Sequence, residues 1–316
     1  MYRAYFNLTQ NPFDLTPDPT FLFATKKHNE ALSALYYGIR YRKGFVVVTG
    51  EVGTGKTLLL RCLLQLFQHS SDVTYAYIFN SLLSPSEFLQ YAVADLGLQS
   101  SGKNKSELLL ELSRFLISRN AEKHTSILIV DEAHHLSAEV LEEIRLLTNL
   151  ETANEKLLQV VLLGQPELDE KLDSVGLRQL KQRIALRARL EPLSENEVGG
   201  YIRRRLQVAG NDQEFESLFP DQTITAIYRY SNGLPRIVNT LCEGALIHAY
   251  AKETRVITSY MVEAVARDLR MTGSNDMMLL MPHDDCEADS QRSTHALLEL
   301  YSGDAANGML EALQGE

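Results

Sequence analysis

The stretch GFVVVTGEVGTGKTLLLRCLLQLF, Gly44 to Phe67, decides the fold. Its first part, Phe45 to Thr49, is a short valine-rich run of the kind that forms a strand buried on both faces. Its last part, LLLRCLLQLF, reads as a helix. Between them GEVGTGKT, Gly50 to Thr57, fits the GxxxxGKT pattern in the strand, loop, helix setting that gives the pattern meaning. Glycines let such a loop turn its backbone N–H groups inward around phosphates, and the following helix directs its positive end at the same place. Gly50, Glu51, Val52, Gly53, Thr54, Gly55 and Leu58 are the expected backbone contacts. Lys56 is expected on the β and γ oxygens of a bound triphosphate, and Thr57 on Mg²⁺ through its hydroxyl.

Working outward, short β-branched runs alternate with longer helical patterns, the mark of a parallel sheet covered by helices on both faces. The runs are Phe45 to Thr49, Val73 to Phe79, Ile127 to Val130, Leu157 to Leu163 and Ile184 to Leu190. Between the second and third, Leu108, Leu109, Leu112, Phe115 and Leu116 share one helical face. Ser84, Pro85 and Glu87 form a capping box with proline at the first helical position. A second box, Ser194 to Glu197, opens an all-helical stretch that runs to about Arg270. The expected class is therefore α/β, a three-layer αβα core around a five-stranded parallel sheet followed by a small all-helical lid. The divisions read as 1–43, an N-terminal segment and leading helix; 44–192, the core; 193–270, the lid; and 271–316, a tail.

The third strand ends ILIVDEAHH, which sets Asp131 and Glu132 at the C-terminal edge of a buried strand, where ligands of open α/β sheets sit. Asp131 can hold the metal's water shell, and Glu132 can orient and deprotonate an attacking water. The same four letters, DEAH, occur in a helicase class, but no second domain of that kind follows. His134 and His135 are neighbours that cannot both face one site, so packing or surface roles are expected for them. Gln165, ending the fourth run, could contact the γ-phosphate or the water. Arg183 and Arg236 are candidates to stabilise negative charge gathering on a transferred phosphoryl group.

Composition narrows the classes. The chain has 316 residues, 45% of them hydrophobic, enough to bury a real core. The apolar run from Met277 to Met281 is far too short to span a bilayer, and the opening MYRAYFNLTQNPF has no leader-like pattern, so a cytoplasmic protein, at most peripheral to the inner membrane, is expected. Cys62, Cys242 and Cys286 form no metal-binding or disulfide pattern, and the first two read as core residues. The net charge of -10 belongs mostly to the tail: residues 271–316 hold nine acidic residues and one basic, leaving 32 against 30 before them. That tail reads as loosely ordered, with helical spacing only in THALLELY and GMLEALQ.

The ordered set of P-loop, VDEAHHL, VVLLGQPELDEKL, LRQLKQRI and NGLPRIVN, with NPFDLTPDPTFLF and HNEALSALYYGI before it, resembles the AAA+ family. In detail it is similar to the ExeA (general secretion pathway protein A) group, over about residues 1–270. The resemblance implies an ATPase that uses ATP and Mg²⁺. It also implies that Gln165 is the sensor of the γ-phosphate, Arg236 the lid's sensor arginine, and Arg183, or else Arg178, an arginine acting across a subunit interface. Asn80 matches the position that restrains the catalytic glutamate in some members, and could equally be a strand cap. Asn11 to Phe13 would lie near the base. Longer members of the group carry a membrane-spanning helix and a peptidoglycan-binding domain, and the sequence in hand contains neither. Two functions are then expected to compete: an assembly or regulatory ATPase, oligomeric, serving protein partners in a bacterial secretion, envelope or polysaccharide-export system; and a DNA-binding ATPase of transposition or replication. For DNA speak Arg178, Lys181, Arg183, Arg187 and Arg189, with Arg203 to Arg205; against it stand the near-neutral core and acidic tail.

Overall fold

The computed structural model describes residues 2–68, 72–79, 82–210 and 215–271. In chain order the elements are α1 (Tyr2–Tyr5), α2 (Lys26–Arg40), β1 (Phe45–Gly50), α3 (Lys56–Gln68), β2 (Val73–Ile78), α4 (Pro85–Asp95), α5 (Lys105–Ala121), β3 (Thr125–Val130), α6 (Ala138–Leu147), β4 (Leu158–Gly164), α7 (Glu167–Leu172), α8 (Arg178–Lys181), β5 (Leu186–Leu190), α9 (Glu195–Val208), α10 (Phe215–Leu218), α11 (Asp221–Ser231), α12 (Pro235–Ala251) and α13 (Ser259–Asp268). The strands make one all-parallel sheet in the order β2-β3-β4-β1-β5. Every residue of β1, β3 and β4 is buried, as interior strands covered on both faces must be, whereas the edge strands β2 and β5 alternate. β3 begins two residues before the apolar run because Thr125 and Ser126 pair with Val73 and Thr74.

Residues Thr16–Glu197 with Leu234–Arg236 form one unit, built on the sheet. On one face Phe45, Val47, Ile78, Leu128, Val130, Val160 and Leu162 pack against Phe88, Leu89 and Val93 of α4, Leu108, Leu112 and Leu116 of α5, and Val140, Leu141 and Ile144 of α6. On the other face α2 and α3 lie over β1. Gly38 permits this approach, since a Cβ there would stand 2.3 Å from Val46 Cγ2. Helix α4 starts on the expected box: the Ser84 side chain accepts from the Glu87 N–H while the Glu87 carboxylate accepts from Ser84 N at 2.8 Å. Cys62 is a free, buried core residue of this unit.

The described residues among 2–15, 198–233 and 237–271 form a second, helical unit. Thr9 N donates to Ala209 O at 2.8 Å and the Tyr2 hydroxyl to the Glu243 carboxylate at 2.8 Å, which ties the leading residues to α9 and α12. Phe13 is buried against Phe219, ring centroids 6.1 Å apart, as part of this unit's core. Cys242 is free and buried here. Among the described residues no helix is long and apolar enough to cross a membrane.

Candidate nucleotide site

Strand register gathers the chemistry. Thr49 pairs with Gly164 and Val130 with Leu162, so Gly50, Asp131 and Gln165 all emerge at the C-terminal edge of three adjacent strands. The loop after β1 needs its glycines: Gly53 and Gly55 have φ of +81° and +98°, and a Cβ on Gly53 would also meet Arg236 Cβ at 2.8 Å. Thr54 is fully buried and donates to Glu51 O at 2.8 Å, closing the turn. His28 of α2 braces the loop from beneath. A carbonyl can only accept, so His28 Nε2 donates to Thr54 O at 3.3 Å and Nδ1 accepts from the Thr25 hydroxyl at 2.7 Å. Burial lowers the pKa of this histidine, which suits the neutral form those bonds require.

Lys56 is almost fully buried, its ammonium donating to Gly50 O at 2.7 Å and Glu51 O at 3.1 Å. Burial depresses its pKa, while Glu132, Asp131 and Glu51 act in the opposite direction. The Asp131 carboxylate is buried and held from three sides: the Thr57 hydroxyl donates to Oδ2 at 3.2 Å, the Tyr77 hydroxyl donates to the same oxygen at 3.0 Å, and Glu132 N donates to Oδ1 at 2.9 Å. Thr57 and Asp131 thus present a hydroxyl and a carboxylate at one point, hard oxygen donors of the sort that suit Mg²⁺. Glu132 stands in the left-handed region, φ +49°, uncommon for a residue with a long side chain and found where a site fixes the backbone. Its neighbour His134 reaches the Gln165 side chain, with 2.9 Å between His134 Nε2 and Gln165 Nε2.

The remaining expected residues divide. Arg236 N donates to Gly53 O at 3.3 Å, placing that residue at the loop. Arg183 is not brought to the loop; it donates to Thr148 Oγ1 at 3.1 Å, whereas Arg178 is exposed at the start of α8. Asn80 and the tail beyond residue 271 lie outside the described residues. The cationic run is largely spoken for within the chain. Lys181 pairs with Asp173 at 3.0 Å, and Arg187 with Asp169 at 3.1 Å and Asp173 at 3.3 Å. Arg205 is no surface cation: it is buried, donating to the Pro12 and Asp14 carbonyls and to the Tyr201 hydroxyl.

Sequence reasoning passed over Tyr77 and His28, and gave His134 only a packing or surface role. Only His28 carried a local signal, three positions after a Thr25 that caps α2.

A parallel five-stranded sheet with a P-loop after β1 and an acid pair after β3 defines a P-loop nucleotide-binding protein of AAA+ architecture. Solved structures agree on the fold: Cdc6p from Pyrobaculum aerophilum, TM-score 0.63 at 16% identity over 86% of this chain and 74% of that one, and the ORC2 protein of Aeropyrum pernix, TM-score 0.61 at 18% identity over 82% and 71%. The AAA domain family model matches residues 39–172. General secretion pathway protein A of Aeromonas hydrophila is 44% identical over 258 residues, 81% of this chain and 46% of its own length. The ATP-dependent target DNA activator B of Escherichia phage Mu is 29% identical over 226 residues, 70% of this chain and 65% of its own. The chain belongs to the AAA+ family, in the group of general secretion pathway protein A. It spans less than two thirds of the length of either curated relative.

Proposed function

We propose that this chain binds ATP with Mg²⁺ at the β1–α3 loop, hydrolyses it, and works as an assembly or regulatory ATPase in a bacterial secretion or envelope system. The observation that carries the reading is the 3.2 Å contact between the Thr57 hydroxyl and Asp131, which joins the phosphate loop and the acid pair in one site. Loop residues Gly50 to Leu58 cradle the phosphates. Lys56 exchanges the Gly50 and Glu51 carbonyls for phosphate oxygens, and Thr57 with Asp131 holds the metal. Bound Mg²⁺ supplies neutralisation of phosphate charge. Glu132 orients and deprotonates water, while Gln165 and Arg236 address the γ-phosphate. Asn80 is kept as a candidate restraint on Glu132. An arginine from a second copy, Arg183 or the more exposed Arg178, completes the charge stabilisation, which makes the working form a homo-oligomer. The secretion role rests on the likeness to general secretion pathway protein A.

The second reading, a DNA-stimulated ATPase, is favoured by the likeness to the phage Mu activator. The intrachain pairing of Lys181 and Arg187 and the burial of Arg205 count against it. ATP hydrolysis by wild type, Lys56→Ala and Glu132→Gln protein, with and without duplex DNA, tests both. Glu132→Gln is expected to keep ATP affinity and lose at least about a hundredfold in rate, and DNA to leave wild-type turnover unchanged. An unaffected Glu132→Gln rate contradicts the catalytic assignment, and strong, salt-sensitive stimulation by DNA selects the second reading.

A further inference from the structure

Helix α7 begins just after Gln165 and Pro166 and is only six residues long, too short to hold its place by its own hydrogen bonds. Contacts with its surroundings place it. Leu168 and Leu172 are fully buried, and Leu168 N donates to Gln165 O at 2.9 Å, so the backbone of Gln165 belongs to the first turn of the helix. Gly164 permits the close approach. A Cβ there would stand 2.8 Å from Leu168 Cδ2 and 3.2 Å from His134 N.

Two polar side chains of α7 reach the strand ends on either side of β4. Towards β1, the hydroxyl of Thr49, buried and next to Gly50 where the phosphate loop starts, donates to Asp169 Oδ2 at 2.6 Å. The other carboxylate oxygen, Oδ1, accepts from Arg187 Nη1 of β5 at 3.1 Å. Towards β3, the Lys171 ammonium donates to the His134 carbonyl and, at 2.8 Å, to the Leu136 carbonyl, in the turn that follows Glu132. Strands β3, β4 and β1 are neighbours in the sheet, and their ends carry Glu132, Gln165 and the phosphate loop. Asp169 and Lys171, two positions apart, point about 200° apart around the helix axis. They therefore brace α7 from opposite sides, and both do so through charge-assisted hydrogen bonds, the stronger class. The buried leucines set how deep the helix sits; the two polar contacts set its rotation, and with it the place of Gln165.

We propose that Asp169 and Lys171 are positioning residues: through α7 they hold Gln165 at a fixed distance from the phosphate loop on one side and from the turn after Glu132 on the other. This rests on the roles given above to Gln165, Glu132 and the loop. Nucleotide binding draws on the loop's backbone N–H groups and Lys56, whereas the chemical step needs Gln165 and Glu132 aligned with each other. Loss of the brace therefore falls on turnover, where a misplacement of about 1 Å can cost up to about a hundredfold.

The test reads saturating Mg·ATP turnover and the affinity for a fluorescent ATP analogue in the full chain and its variants. Asp169→Leu, which removes both acceptor oxygens at similar bulk, and Lys171→Met are each expected to lower kcat at least about tenfold, with affinity within about twofold of wild type. Asp169→Asn is expected to recover part of the loss, because its NH₂ can donate to the Thr49 oxygen while its carbonyl accepts from Arg187. Asp169→Leu combined with Gln165→Ala is expected to be slower than the slower single variant by no more than about twofold, since one residue acts through the other. Thr49→Val keeps the shape without the donor, and is expected to lower kcat in the same way if Asp169→Leu does not fold. Turnover of the folded brace variants within about twofold of wild type, losses that multiply in the double variant, or lost analogue binding in every variant overturns the proposal. Wild type that binds the analogue and turns over no ATP, or Gln165→Ala that turns over as wild type does, instead overturns the reading beneath it.

Discussion

Tyr77 would bear on the proposed Mg²⁺ without touching it. It shares Asp131 Oδ2 with Thr57, and burial together with the Asp131 carboxylate raises its own pKa, so it stays a donor. Removing such an outer partner costs metal affinity or activity about tenfold or more. Tyr77→Phe is accordingly expected to raise the Mg²⁺ concentration for half-maximal turnover about tenfold, and an unchanged Mg²⁺ titration would contradict that role. The buried histidines give a pH prediction. His28 and His134 have folded-state pKa values below the ordinary 6.5, His134 at about 4, so the unfolded chain takes up more protons than the folded one between those values. Stability is then greatest above about pH 6.5 and falls as pH drops toward about 4. Thermal melts are expected to show this fall, with a shallower slope in His134→Gln; equal slopes would contradict it. The residues of the P-loop and the acid pair were legible in the sequence because their spacing is contiguous and local. Tyr77, His28 and His134 were not, because each acts on a group brought near by strand register or helix packing, which no local pattern encodes.

Helices and strands were the most legible level. The fully buried strands announced themselves as unbroken apolar runs, and Ser84 with Glu87 marked the start of α4 to the residue. Edge strand β5 was harder: only Leu186–Leu190 forms it, and its Arg187 pairs with Asp169 and Asp173 of a helix and turn upstream. Charge that looks available in a list of residues is thus consumed by partners 14 to 18 positions away. Packing of α2 on β1 depends on Gly38. Gly38→Ala is expected to cost about 1–3 kcal/mol by forcing the helix off Val46, measured by urea unfolding; a loss below about 0.5 kcal/mol would show that the helix shifts without strain.

At the scale of the whole molecule, the class of fold followed from the order of elements, while the membership of residues 1–15 in the helical unit did not, since it depends on contacts such as Thr9 with Ala209, two hundred positions apart. The proposed homo-oligomer, with an arginine acting across its interface, carries a further prediction. Arg178→Ala or Arg183→Ala, whichever removes that arginine, is expected to lower turnover at least about a thousandfold. Mixing that variant with Glu132→Gln protein is expected to restore activity, because each contributes the part the other lacks; no recovery from either mixture would contradict action in trans. The central claim remains the placing of one triphosphate between the loop after β1 and the acids after β3. A structure of the chain with Mg²⁺ and a non-hydrolysable ATP analogue tests it most directly. The predicted result has the Lys56 ammonium moved from the Gly50 and Glu51 carbonyls onto the β and γ phosphates, with the metal beside Thr57 and Asp131. A nucleotide bound elsewhere, with Lys56 still on those carbonyls, would contradict the account.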